Sequence, residues 1–134
     1  MRVLVDTSVW SVALRRGAQV TPTIDKELRS LISDHRVDII GPIRQELLSG
    51  IREQAQFDHL RHYLAAFPDL PIVTEDYITA ARFFNLCRTK GLQGSNTDFL
   101  ICSVAVHNHL AIFTTDDDFF RFSKYLPIVL HEKG

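Results

Sequence analysis

The stretch Val3-Leu4-Val5-Asp6-Thr7-Ser8-Val9-Trp10 changes character at residue 6. Its β-branched apolar run reads as a short buried strand. Asp6-Thr7-Ser8 then supplies helix-capping side chains, and Val9 to Leu14 continue as a helix. A strand that turns directly into a helix opens an alternating chain, and the same event recurs downstream. Val37 to Ile40 reads as a strand, followed by Gly41-Pro42, with Pro42 suited to the first helical position. Ala111 to Thr114 reads as a strand, followed by Asp116 and a short helix over Asp117 to Ser123. Ile128 to Leu130 reads as the last strand.

Helices fill the intervals. Pro22 opens one that runs to about Ser33, with Leu28, Leu31 and Ile32 as its apolar stripe. Ile43, Leu47 and Leu48 mark another, stopped near Gly50. Ala55 to Ala66 is a third. Pro68 and Pro71 bracket a turn before Ile72-Val73. A long helix from Glu75 to about Lys90 carries the stripe Tyr77, Ala80, Ala81, Phe84 and Cys87. Ser95 to Asp98 forms a capping box for a helix through Val106. Alternating strands and helices predict a single α/β domain over 1–134, a three-layer α/β/α sandwich with a central parallel sheet.

Such sheets place their sites beyond the carboxyl ends of the strands. Asp6 and Asp116 lie at two such ends, and Glu46 and Asp98 lie in the opening turns of two helices. Each acid alone has an ordinary reading. Asp6 and Asp116 can cap helices, Asp98 can serve the capping box, and Glu46 can be a solvated helical side chain. Together they converge on one sheet edge. Gathered carboxylates repel one another, and a fold assembles them to hold a hard cation such as Mg²⁺ or Mn²⁺. In Asp116-Asp117-Asp118, alternate members share a direction, so Asp116 and Asp118 are expected to pair. Phe119 and Phe120 after them read as core, as does Trp10.

Composition narrows the classes. Apolar residues are 46%, charged residues 23%, and net charge is −1. That is an ordinary globular balance, and not a bulk polycation for nucleic acid. Arg15, Arg16, Arg44, Arg52, Arg88 and Lys90 nonetheless fall in or near loops and helix ends, where they can meet a phosphate backbone. Cys87 and Cys102 sit in apolar helical stretches and read as reduced, buried thiols of a cytosolic protein. No signal peptide or membrane span is expected. The six histidines have no zinc-ligand spacing. Gly91-Leu92-Gln93-Gly94-Ser95 lacks the ending of a phosphate-binding Walker loop. Ser8 has no base near it in sequence.

Four segments resemble the PIN-domain family, and within it the VapC-type toxins of toxin–antitoxin pairs. They are Val3-Leu4-Val5-Asp6-Thr7-Ser8-Val9-Trp10, Gln45-Glu46-Leu47-Leu48-Ser49-Gly50, Asn96-Thr97-Asp98-Phe99-Leu100-Ile101 and Thr114-Thr115-Asp116-Asp117-Asp118-Phe119. The resemblance implies a metal-dependent endoribonuclease, toxin of a type II pair, that cuts tRNA or rRNA. It implies Mg²⁺ (or Mn²⁺), a cognate antitoxin and a homodimer in the cytoplasm. Carried over, Asp6, Glu46, Asp98 and Asp116 are the catalytic acids. Asp6, Asp98, Asp116 and Asp118 hold metal, and Ser8 and Thr114 keep the acids in place. Arg15, Arg16, Arg44 and Arg52 are the expected RNA contacts.

Two rivals come from other classes. A haloacid-dehalogenase-like phosphatase wants a second Asp two residues after the first, where this chain has Ser8. A receiver wants a Lys after a late strand, where Thr114-Thr115-Asp116 offers none. A noncatalytic RNA- or partner-binding module of the same fold has no need of the acids, which are intact here.

Overall fold

The computed structural model describes residues 1–14 and 22–132. Arg15, Arg16 and the expected helix stop at Gly17 lie outside the described residues. Four strands form one parallel sheet: β1 (Val3–Val5), β2 (Val37–Asp38), β3 (Ala111–Phe113) and β4 (Val129–Leu130), in the order β2-β1-β3-β4. Val3 pairs with Val37 on one side and Ala111 on the other, so β1 is central. Its three residues are fully buried, as the apolar run requires of a strand covered on both faces. The chain leaves β1 for β2 on one side and returns to its other side as β3. The crevice at that reversal, outside the strands' carboxyl ends, is where an open α/β sheet takes a ligand.

Helices α1 (Thr7–Leu14), α2 (Pro22–Ser33), α3 (Gly41–Leu48) and α4 (Gln54–Leu64) form one contact group. Helix α5 (Thr74–Thr89) packs along α6 (Asn96–His107), which lies against β3. A short α7 (Asp117–Phe122) precedes β4. The fold is the expected α/β/α sandwich. Strand β2 is shorter than its apolar run because Ile39 leaves the ladder for a single parallel bridge to Asp69. Gly50 has φ of +87°, the left-handed backbone that ends α3 without a Cβ clash.

Helix α6 is buried without interruption from Phe99 to Ala105, so its N-terminus is fixed by the core rather than by solvent. Helix α5 faces α6 through Asp76, Ala80 and Cys87, with Phe83 and Phe84 half-buried. The expected stripe is therefore turned on its axis: Tyr77 and Ala81 point outward. The cause is Asp76, which takes an inward position. It accepts from the Val73 N–H at 2.9 Å and meets His107 Nδ1 at 2.9 Å, joining α5 to α6. Phe119 is core, but Phe120 is 61% exposed. A six-residue helix buries only its Phe119 and Phe122 face. Cys87 and Cys102 are free and buried, and burial pushes both thiols up. Among the described residues, no helix is long and apolar enough to cross a membrane.

Candidate active site

Asp6 follows β1 directly, and its N–H donates to the carbonyl of Phe113 at the end of β3 at 2.9 Å. That bond sets the two carboxyl ends side by side. Asp6 is 6% exposed, so its charge needs compensation. Two hydroxyls supply it, both on the same oxygen: Ser8 Oγ donates to Oδ2 at 2.8 Å and Thr114 Oγ1 at 2.9 Å. Each hydroxyl is itself fed by backbone, Ser8 Oγ by the Thr115 N–H and Thr114 Oγ1 by the Asp116 N–H, both at 3.0 Å. Two N–H→O–H→carboxylate relays therefore converge on Oδ2, and each link polarises the next. Oδ1 receives no such donor among the described residues.

Asp98 stands at the third helical position of α6. Its Oδ2 accepts from the Ser95 N–H at 3.0 Å, and its own N–H donates to Ser95 Oγ at 3.1 Å. The capping box is present, and it points the carboxylate at the sheet edge. Burial raises the Asp98 pKa, the Ser95 bonds oppose the rise, and the charges of Asp6 and Asp116 add to it. Asp116 caps α7 by accepting from the Asp118 N–H at 2.9 Å. Glu46, exposed on α3, is 3.4 Å from the Thr7 hydroxyl. For Asp98 and Asp116 the ordinary capping role and membership of the site hold together: the cap is what aims the acid.

Asp6, Glu46, Asp98 and Asp116 line one open cleft of about 470 Å³. Its other polar walls are the hydroxyl residues Thr7, Ser8, Ser95 and Thr97, and no cationic side chain lines it among the described residues. The structure does not bring Asp118 into this cleft. Its carboxylate turns to Arg121 Nη1 at 2.9 Å, because position 118 already lies inside α7 and pairs with the residue three further on. Arg44 is likewise diverted. It binds Asp69 at 3.0 Å and the carbonyls of Leu64 and Phe67, tying α3 to the end of α4. Arg52 is exposed just beyond α3.

Gly94 positions the site in a way the sequence reading missed. A Cβ there meets Phe122 at 2.7 Å and Phe99 at 3.0 Å. Only glycine lets the loop before α6 lie on those buried rings, and that approach sets Ser95 as the cap. The signal is Gly94, directly ahead of the Ser95–Asp98 capping box; the sequence reading took this glycine only as part of a loop that fails the Walker pattern.

The cleft's chemistry fits a hard divalent cation. Its donors are carboxylate and hydroxyl oxygens, with no His or Cys among them. Among the described residues no three acids stand close enough to grip an ion directly. Mg²⁺ keeps several waters and takes one or two direct carboxylates, so a spread ring of acids suits it.

The PIN domain model matches residues 3–125, and the chain belongs to the PIN domain family. Solved structures agree in fold. FitAcB from Neisseria gonorrhoeae superposes with a TM-score of 0.78 at 22% identity, covering 98% of this chain and 97% of that one. VapBC2 from Rickettsia felis, bound to a DNA fragment from its promoter, gives 0.77 at 19% identity, with 98% of each chain covered. VapBC-5 of Mycobacterium tuberculosis, from a family of toxin–antitoxin systems, gives 0.70 at 21%, covering 98% and 100%. No curated protein matches the chain.

Proposed function

We propose that this protein is a metal-dependent endoribonuclease and the toxin of a type II toxin–antitoxin pair. The observation that carries the reading is the cleft: four acids from four separate segments line it, and no cationic side chain lines it among the described residues. A carboxylate cluster on this scale is unfavourable unless a cation joins it. Family membership and the similarity in fold to VapBC2 and VapBC-5 support the same reading.

Asp6, Asp98 and Asp116 would hold Mg²⁺ or Mn²⁺, whose hydration shell lets acids set this far apart share it. When bound, the ion polarises the scissile phosphate and lowers the pKa of water beside it. Asp6 presents Oδ1, its other oxygen being fixed by Ser8 and Thr114. Glu46, facing the others from α3, orients the attacking water and takes its proton. Attack at phosphorus with cleavage of the P–O3′ bond, the departing oxygen taking a proton from solvent, would leave the 5′-phosphate and 3′-hydroxyl that the family implies. Asp118, paired with Arg121, serves α7 rather than the ion.

An antitoxin partner follows from the two-component relatives. A groove of about 580 Å³, lined by Leu14, Leu47, Ile51 and Leu60 and by the polar Ser11, Gln56 and His59, offers a seat for an amphipathic partner helix. Leu60→Asp protein still silenced by its antitoxin would speak against that seat. A homodimer is supported by the outward face of α5, where Tyr77 is 55% exposed with Ala81 beside it, and by Val73 at the start of the helix, 47% exposed. Tyr77→Asp protein should sediment as a monomer, and an unchanged dimer removes this face from the contact.

The deciding experiment is cleavage of cellular RNA by purified protein in Mg²⁺ or Mn²⁺, in EDTA, and by Asp98→Asn protein. Cutting that needs metal and Asp98 is expected. RNA left whole by folded, partner-free protein in either metal overturns the reading and favours a binding module.

A further inference from the structure

Glu46 is the acid of the cleft with the least to hold it. Asp6 is fixed by two hydroxyls, and Asp98 and Asp116 by the helix caps they make. Glu46 has a single side-chain contact among the described residues, the long 3.4 Å approach of the Thr7 hydroxyl. Its place therefore follows that of α3. That helix has eight residues, no side-chain bond from its N-cap Ile40, and one buried side chain, Ile43. A helix this short has little stability of its own and sits where tertiary contacts put it.

Arg44, two residues before Glu46, supplies those contacts. Its Nε donates to Asp69 Oδ1 at 3.0 Å, its Nη1 to the Leu64 carbonyl at 2.9 Å, and its Nη2 to the Phe67 carbonyl. One planar fork meets three acceptors on one short stretch, so both the distance and the rotation of α3 are set. The same stretch is tied to the rest of the site. The Leu70 N–H donates to the Ile39 carbonyl at 2.9 Å, and Asp69 bridges to Ile39, just before α3 begins. Phe67 packs edge-on against Trp10, with ring centres 5.3 Å apart. Trp10 is fully buried on α1, the helix that starts at Thr7 and Ser8. Helices α1 and α3 are thus referred to one mount, and no residue of that mount lines the cleft.

We propose that Arg44 is a positioning residue: by gripping Asp69 and the Leu64 and Phe67 carbonyls, it sets the height at which α3 presents Glu46 to the other acids of the cleft. This role rests on the ribonuclease reading, in which Glu46 orients the attacking water. It replaces the RNA contact that the sequence led one to expect of Arg44.

The test compares wild type with Arg44→Lys, Asp69→Asn and Glu46→Gln, and with each of the first two combined with Glu46→Gln. Lysine keeps the charge but loses the fork. The Asp69 side chain is 46% exposed, so Asp69→Asn should fold even where Arg44→Lys does not. The first readout needs neither metal nor RNA. In EDTA, the backbone amides of Gln45 to Leu48 should exchange hydrogen about tenfold faster in both variants, with the amides of α6 unchanged. The second readout is single-turnover cleavage in Mg²⁺. Either variant should slow the rate at saturating RNA by about ten- to a hundredfold, the scale of a misplacement of about an ångström. The RNA concentration giving half that rate should not move. Against the residual rate of Glu46→Gln, the same substitutions should matter by less than about twofold, because the group they place is gone.

Amides of α3 that keep their protection in both variants overturn the role. So does slowing of equal size with and without Glu46, which makes Arg44 a general brace of the fold. So does a loss confined to the half-saturating RNA concentration, which makes Arg44 the phosphate contact after all. Wild type that leaves RNA whole refutes the nuclease instead, and hydrogen exchange then decides by itself whether Arg44 holds α3 and Glu46 in place.

Discussion

Asp6 and Asp38 are paired by their surroundings and divided by their compensation. Both are 6% exposed, and Asp38 lies opposite Leu4, two residues before Asp6, across the β1–β2 ladder. Asp38 is answered by a full charge: Arg2 sends Nε to Oδ2 at 2.8 Å and Nη2 to Oδ1 at 2.5 Å, a two-pronged grip. That pairing in turn raises the Arg2 pKa. Asp6 is answered only by two hydroxyls on one oxygen. Asp76, 3% exposed, is answered instead by the Val73 N–H and by His107 Nδ1, each at 2.9 Å. A buried acid with its own cation holds the fold together. A buried acid held in place by dipoles alone keeps its charge for something that arrives from outside.

Removing the charge at Asp6 should therefore have the largest effect on activity and almost none on folding. We expect Asp6→Asn to lower RNA cleavage at least about a hundredfold, the scale for losing one well-placed electrostatic group. Its melting temperature should equal or exceed wild type, because repulsion with Asp98 and Asp116 falls. A variant that cleaves fully, or that unfolds, would make Asp6 a structural acid like Asp38. The hydroxyls come next. Ser8→Ala or Thr114→Ala frees Oδ2 and lets the carboxylate rotate, and should weaken Mg²⁺ affinity about 10- to 100-fold. Thr114→Ser should restore it. Affinity unchanged in both alanine variants would mean that the relays do not orient the ion's ligand.

The same contrast explains what was legible in the sequence. The strands and helices were readable because apolar runs and caps are local signals: Pro22–Ser33 and the Ser95–Asp98 box stand where they were expected. The gathering of Asp6, Glu46, Asp98 and Asp116 was readable because a parallel sheet sends its strand ends to one edge. Side-chain partners were not. Asp118 and Arg121 find each other through α7's own geometry. Arg44 was read as a loop-side cation because its partners, the Leu64 carbonyl at the end of α4 and Phe67 and Asp69 after it, are distant in sequence. Asp38 and Asp76 drew no notice, since nothing in Val37-Asp38 or Glu75-Asp76 announces that a distant Arg2 or His107 will arrive. Phe120 was assigned to the core by its type, and a short helix left it outside.

On the structural side of the comparison, Arg2→Ala should leave Asp38 buried without its cation. The Arg2 side chain is 55% exposed, so solvent moderates the loss, and about 1–3 kcal/mol in urea unfolding is expected. Cleavage by the folded fraction should be normal. A variant as stable as wild type would show that water replaces Arg2 and that the pair is incidental. Gly94→Ala bridges both sides of the comparison. The added methyl presses on buried Phe122 and Phe99, at about 1–3 kcal/mol, and it should also disturb Asp98. Loss of stability with normal metal affinity would separate the loop from the site.

The smallest effect is the most discriminating. Asp98 has a raised pKa, chiefly from burial, with Asp6 and Asp116 adding to it. Between the ordinary aspartate value of 3.8 and that raised value, the folded chain holds more protons at this site than the unfolded chain. Stability from this group therefore falls as pH rises through that window, and the loss persists above it. Asp98→Asn removes the ionisation while keeping an oxygen for the Ser95 N–H. In EDTA at neutral pH it should melt a few degrees above wild type, and the gap should narrow as pH falls through the window. Added Mg²⁺ should reverse the order, because only wild type gains the stability that ligand binding confers on the folded state. If instead the two proteins kept one order with and without Mg²⁺, the charge at Asp98 would be of no use to a cation. Asp98 would then belong with Asp38 as an acid of the fold.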